Sequence, residues 1–66
     1  MSRKDFEAVA AAINTAWNSN QSSPEAQNGI RMAAFALAAK FADANPRFDR
    51  ARFLAACGLA TLPTIN

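Results

Sequence analysis

Alanine supplies half of the apolar residues of this chain, which limits the size of the hydrophobic core that the chain can build. The 66 residues include 17 alanines, against 16 methionine, valine, isoleucine, leucine, phenylalanine and tryptophan residues taken together. A chain this short forms one domain, residues 1–66, and buries only about 60% of the surface that its unfolded form exposes. The sequence therefore predicts a small single domain with a thin stability margin.

A first helix is predicted near the N-terminus. Ser2 is a suitable N-cap residue, and the polar run 18–23 favours turns over helix. Five apolar residues form a stripe on one face of this helix, because the later four follow the first by three, four, seven and eleven positions: Phe6, Val9, Ala10, Ile13 and Trp17. We expect this stripe, including Trp17, to lie in the core.

A second, longer helix is predicted from about Pro24 to Ala44. Ser22 or Ser23 is its expected N-cap, because a proline in the first helical turn loses no hydrogen bond. Asn45 and Pro46 end it, since proline disfavours helical geometry in the residue before it. This helix is the expected centre of the fold.

The second helix carries two apolar stripes on nearly opposite sides. The first is the expected core face, onto which Phe53 and Leu54 dock, and it comprises Ile30, Ala34, Leu37 and Phe41. The second comprises Met32, Phe35 and Ala39. In so short a chain a second stripe is hard to bury, and we expect it to be at least partly exposed in the monomer and covered by a partner. Coverage by the first helix or by the C-terminal tail is the alternative.

A third helix is predicted after Asp49, its expected N-cap, with Phe48 and Phe53 forming a hydrophobic staple. Gly58 is the expected stop, and a Schellman ending returns Leu59 onto the helix. The tail 60–66 is expected to run extended across the surface. Together these signals predict an all-α, compact three-helix domain with a long central helix and an extended C-terminal tail.

The composition argues against an enzyme. The chain has neither histidine nor tyrosine, and its five carboxylates are scattered, so a general base and a metal site lack their usual residues. Gly29 and Gly58 form no phosphate-binding loop, and we assign them to helix packing and a helix stop. Cys57 has no imidazole to activate it and is expected in the core. We therefore expect no catalytic, cofactor or metal residues.

The single cysteine also excludes an intramolecular disulfide, which favours a reducing compartment. Asp5 and Glu7 interrupt the position where a signal peptide has its apolar run, and no apolar stretch is long enough to span a bilayer. A cytoplasmic protein without membrane contact is the expectation.

The C-terminal half is the basic half of the chain, although the net charge is only +2. Candidate contacts to nucleic acid or to an acidic partner are Arg31, Lys40, Arg47, Arg50 and Arg52. Two features weaken the nucleic-acid interpretation. Phe48 and Phe53 are already engaged as a staple, and Arg50 and Arg52 point about 200° apart on a helix.

The segment Asn45–Gly58, NPRFDRARFLAACG, together with the opening Ser2–Phe6, resembles a group of short tailed-phage and prophage proteins of uncharacterised function. The resemblance covers about a third of the chain. It implies a phage or prophage origin and the cytoplasm of an infected or lysogenic bacterium. Small non-enzymatic phage proteins often bind host or defence components, CRISPR effectors among them, but the resemblance assigns no functional residue.

The sequence thus favours a protein-interaction module that modulates or inhibits a host or defence protein by binding its surface. Met32, Phe35 and Ala39 are the expected contact residues, and the partner is a host or phage protein or a second copy of the chain in a homodimer. The alternative is a nucleic-acid-binding accessory protein that uses the basic half.

Overall fold

A computed structural model describes residues 2–59 of the chain, and within this range the regular structure is entirely α-helical. It comprises α1 (Arg3–Ser19), α2 (Pro24–Ala44) and α3 (Arg50–Ala56), and each helix contacts the other two. The predicted all-α three-helix domain is therefore confirmed. The extended tail predicted for residues 60–66 lies outside the described residues.

Helix α1 begins at a capping box. The Ser2 backbone N–H donates to Asp5 Oδ2 at 2.8 Å, and the Asp5 backbone N–H donates to Ser2 Oγ at 3.4 Å. The helix continues to Ser19, past the predicted onset of the polar run at residue 18. It does so because Ser19 Oγ and Asn20 Nδ2 donate to backbone carbonyls of the last turn, at 2.8 Å and 2.7 Å.

Helix α2 has the predicted bounds. Of the two candidate N-caps the structure uses Ser23, whose Oγ accepts a hydrogen bond from the Ala26 backbone N–H at 3.3 Å. The helix ends at Ala44, just before Asn45 and Pro46.

Helix α3 confirms the local signals at both of its ends. Asp49 Oδ1 accepts from the Arg52 N–H at 3.0 Å, and the rings of Phe48 and Phe53 lie 5.5 Å apart, centroid to centroid. At the other end Gly58 has a φ of 83°, and the Leu59 N–H donates to the Leu54 carbonyl at 2.9 Å. This is a Schellman ending, and it turns Leu59 into the core.

The core is small, and alanine forms half of it. The buried apolar residues among positions 2–59 are Ala10, Ala34, Ala38, Phe53, Cys57 and Leu59. Because the methyl group of alanine is short, helix backbones approach closely where it is buried. Trp17 is half-buried and packs against this cluster, and Cys57 is fully buried, so both lie where the sequence predicts them.

The core face of α2 differs from the predicted one. It runs through Ala34, Ala38 and Phe41, whereas Ile30 and Leu37 are only half-buried and lie outside the group of side chains packed on the buried cluster. The predicted docking is confirmed at Phe41, which Phe53 meets edge-on at 5.6 Å, and it is wrong at Ile30 and Leu37. Ala34 and Ala38 are buried in place of these larger side chains.

Four phenylalanines join the three helices at one end of the domain. Phe6 of α1 contacts Phe41 of α2 and Phe48 of the α2–α3 connection, both with centroids 4.8 Å apart. Phe53 of α3 stands edge-on to Phe41 at 5.6 Å. Such tilted and edge-to-face pairs each add about 0.5–1.5 kcal/mol beyond area burial. This cluster stabilises a domain in which, among residues 2–59, the other buried positions are three alanines, Cys57 and Leu59.

Candidate protein-interaction surface

The largest exposed apolar side chains of the described chain lie on the second stripe of α2. Met32 is 64% exposed and Phe35 is 45% exposed, as the sequence predicts, while Ala39 is half-buried. At about 100° per residue, Met32 points about 160° away from the buried Ala34 and Phe35 about 100° away. Neither α1 nor α3 covers Met32, whereas Phe35 lies partly against α3.

Small residues lie beside Met32 on the outer side of α2, and Asn28, one turn before it, donates a hydrogen bond to Met32 Sδ at 3.8 Å. Ala33 and Ala36 are exposed, and a Cβ atom built on Gly29 meets no atom within 4 Å. The predicted helix-packing role of Gly29 within the monomer is therefore wrong, since it faces open space. We call Gly29, Met32, Ala33 and Ala36 the outer face of α2, with Phe35 and Ala39 along its edge toward α3.

Phe35 also lines a groove between α2 and α3 with a volume of about 510 Å³. The groove is lined by Phe35, Ala38, Arg50, Ala51 and Leu54. It extends the apolar surface of α2 onto α3. No spacing or motif in the sequence indicates this extension, because the two helices come together only through tertiary packing.

Charged residues stand at both ends of the outer face. Glu25 is in the first turn of α2 and Lys40 is near its last turn, and both side chains are exposed. Among residues 2–59 the ion pair formed is Arg3–Glu7, with 3.8 Å between Nε and Oε2. Glu25 and Lys40 thus have no ion-pair partner within the described part of the chain.

The five basic residues predicted as a contact set do not form one patch. Arg47 and Arg52 line a second groove, Arg50 lines the α2–α3 groove, and Arg31 and Lys40 are exposed on α2. Arg31 donates a hydrogen bond to Asn28 Oδ1 on its own helix. The separation follows from helix geometry, which points Arg50 and Arg52 to different sides of α3.

The second groove, of about 660 Å³, lies between α1, α3 and the α2–α3 connection. Phe6, Phe48 and Phe53 contribute aromatic surface to it, and Arg3 joins Arg47 and Arg52 along its lining. Sequence reasoning missed Arg3, which is distant in sequence from the other two. Both lining carboxylates are already engaged, because Glu7 pairs with Arg3 and Asp49 caps α3.

The surroundings of Cys57 and Asp5 shift the pKa values of these two side chains. Burial raises the pKa of the Cys57 thiol, which keeps it protonated beneath the surface. Hydrogen bonds from Ser2 lower the pKa of the exposed Asp5 carboxyl. Within residues 2–59 no three potential metal ligands lie together, and no helix is both long and apolar enough to cross a bilayer.

Comparison with protein-family models, with curated proteins and with solved structures finds no match to this chain.

Proposed function

We propose that this chain is a protein-interaction module and that the outer face of α2, with Phe35 and Ala39 at its edge, is its contact surface. The observation that carries the proposal is the exposure of Met32 and Phe35. Exposed apolar patches bordered by polar residues are typical of interaction sites, and methionine and aromatic residues are enriched in interface cores. A chain with so few large apolar residues has two of them facing solvent on one helix.

The partner class follows from the resemblance of the C-terminal segment to phage proteins. On that basis the module acts in the cytoplasm of a bacterial host and binds a host or defence protein. It modulates or inhibits that protein by occupying part of its surface. Such an action requires no catalytic group, only an apolar contact and a stable scaffold to present it.

Phe35→Glu and Met32→Glu test the contact surface. A carboxylate at either position remains solvated in the free domain, so both variants keep helical circular dichroism, while the desolvation of a charge opposes binding. The proposal predicts a smaller hydrodynamic mass or the loss of a protein that the wild type retains from host lysate. Ala11→Glu, on an exposed position of α1, is the matched control. Folded variants with unchanged mass and unchanged binding contradict the proposal.

Nucleic-acid binding is the second candidate, and the groove that combines Arg3, Arg47 and Arg52 with aromatic surface favours it. Few phosphate contacts predict a shallow dependence of affinity on salt. Titration with duplex and single-stranded DNA and RNA at about 50 mM salt tests this candidate, because weak screening favours such contacts. The absence of binding under that condition removes it.

A further inference from the structure

We infer that the protein covering the outer face of α2 is a second copy of this chain, whose α2 packs antiparallel on the first about a two-fold axis between Met32 and Ala33. The inference rests on the proposed function, because it names the occupant of the same surface. It follows from the apolar centre of the face and from the position of the charges at its ends.

The centre of the face permits close contact between two helices. Met32 projects into solvent, and Gly29, Ala33 and Ala36 beside it leave the surface shallow. In the antiparallel arrangement Met32 of each copy lies against Ala33 of the other, and Gly29 lies opposite Ala36. Small residues facing one long flexible side chain allow the helix axes to approach to about 8–10 Å.

The charges at the ends of the face are self-complementary in this register. Glu25 lies seven residues before Met32, and Lys40 lies seven residues after Ala33. Seven residues are close to two helical turns, so each charge lies near the same side of α2 as the apolar centre. Antiparallel pairing places Glu25 of one copy opposite Lys40 of the other at both ends. A parallel pair would place equal charges opposite each other.

A symmetric dimer uses the same patch on both subunits, so a face that is complementary to itself after a half turn has the property that such an interface needs. Helix α2 has 21 residues and is about 31 Å long. One helix pair is a small interface, and we expect a weak, concentration-dependent dimer. A host protein that binds the same face has to displace the second copy.

Charge exchange between the two ends tests this arrangement. Glu25→Lys and Lys40→Glu each place like charges opposite one another twice per dimer, and the double variant restores opposite charges. Sedimentation velocity over a concentration series should show the dimer dissociation constant raised about tenfold or more in each single variant and returned to within about threefold of the wild-type value in the double variant. Lys4→Glu on α1 changes the net charge as Lys40→Glu does and should leave dimerisation unchanged.

Circular dichroism verifies that each variant is folded. Glu25→Lys places a positive charge in the first turn of α2, and if this variant has less helix than the wild type, the comparison of Lys40→Glu with Lys4→Glu is the test. A wild type that stays monomeric to about 1 mM overturns the inference, since such a small interface is expected to form within that range. A double variant as weak as the single variants overturns it too.

The same measurements separate this inference from the proposed function. If the chain is monomeric but Met32→Glu abolishes the binding of another protein, the self-pairing is wrong and the proposed contact surface is retained. If the chain dimerises equally well with Met32→Glu and with either charge variant, the dimer uses another surface, and the inference is wrong.

Discussion

The alanines of α2 allow a direct test of which side of the helix faces the core. Ala34 is 0% exposed and lines neither groove, whereas Ala36, two residues later, is exposed on the outer face. Leucine at position 34 inserts three additional carbon atoms where α1 and α3 close over α2. Overpacking of this kind costs about 1–3 kcal/mol. Leucine at position 36 extends into solvent, where substitutions change stability by no more than about 0.5 kcal/mol.

For a domain of this size the total stability is about 3–10 kcal/mol, so the loss at position 34 is a large fraction of it. Each kcal/mol lowers Tm by about 4–8 °C in a domain of 60–100 residues. Thermal unfolding followed by circular dichroism, at a concentration low enough to keep the chain monomeric, should show a clear decrease for Ala34→Leu and almost none for Ala36→Leu. Equal melting temperatures for the two variants would show that the assigned core face is wrong.

Three further experiments probe Gly29 in the interior of α2, the capping box of α1 and the buried thiol of Cys57. Gly29→Ala should raise the free energy of unfolding by about 0.5–1 kcal/mol in urea unfolding, because glycine disfavours helix and the added methyl meets open space; a destabilised variant would contradict the exposed position. Hydrogen bonds from Ser2 lower the pKa of Asp5, so the stability that this capping box gives to α1 is present above the ordinary aspartate pKa and is lost as pH falls through the lowered pKa. Protection of the first-turn amides from hydrogen exchange, measured between about pH 5 and pH 2, should therefore decrease toward low pH. Protection that stays the same over this range would be inconsistent with the cap. Cys57 is buried and its pKa is raised, so in native buffer it should react with a thiol reagent only as fast as the domain opens. In denaturant it should react at once. A rapid reaction in native buffer would place the thiol at the surface.

The sequence predicted the helices well because their ends depend on local chemistry. Ser23 with Pro24, and Asp49 with the Phe48–Phe53 staple, determine where α2 and α3 begin through bonds and contacts within a few residues. The Schellman ending at Gly58 has the same local character. Such signals can be recognised without knowledge of the tertiary structure.

The faces of α2 were predicted less accurately because alanine is compatible with both core and surface. Ala34 and Ala38 are buried while Ala33 and Ala36 are exposed, and nothing in the residue type distinguishes the two pairs. The predicted stripe therefore assigned Ala34 and Phe41 to the core correctly, included the half-buried Ile30 and Leu37, and omitted Ala38. The exposure of Met32 and Phe35 was still predicted, because their helical spacing from Ala34 directs them away from the buried side of α2.

The arrangement of the basic residues depends on tertiary contacts. Arg3 joins Arg47 and Arg52 only because α1 packs beside α3, and no spacing in the sequence indicates this. Arg50 lines a different groove because it points about 200° away from Arg52 on α3, which helical spacing does indicate. One continuous basic patch is thus not present on the described surface, which makes the apolar face of α2 the better-supported contact site.

The methyl resonance of Met32 provides the most direct test of the central claim that the outer face of α2 is an interface. The chain has two methionines, Met1 and Met32, so labelling with [methyl-¹³C]methionine gives two signals, which Met32→Leu assigns. The Met32 signal should shift or broaden as the chain is concentrated from about 10 μM to about 1 mM, or as a binding protein is added, because the contact covers a side chain that is otherwise in water. A Met32 signal that stays unchanged while the chain demonstrably associates or binds would contradict the claim.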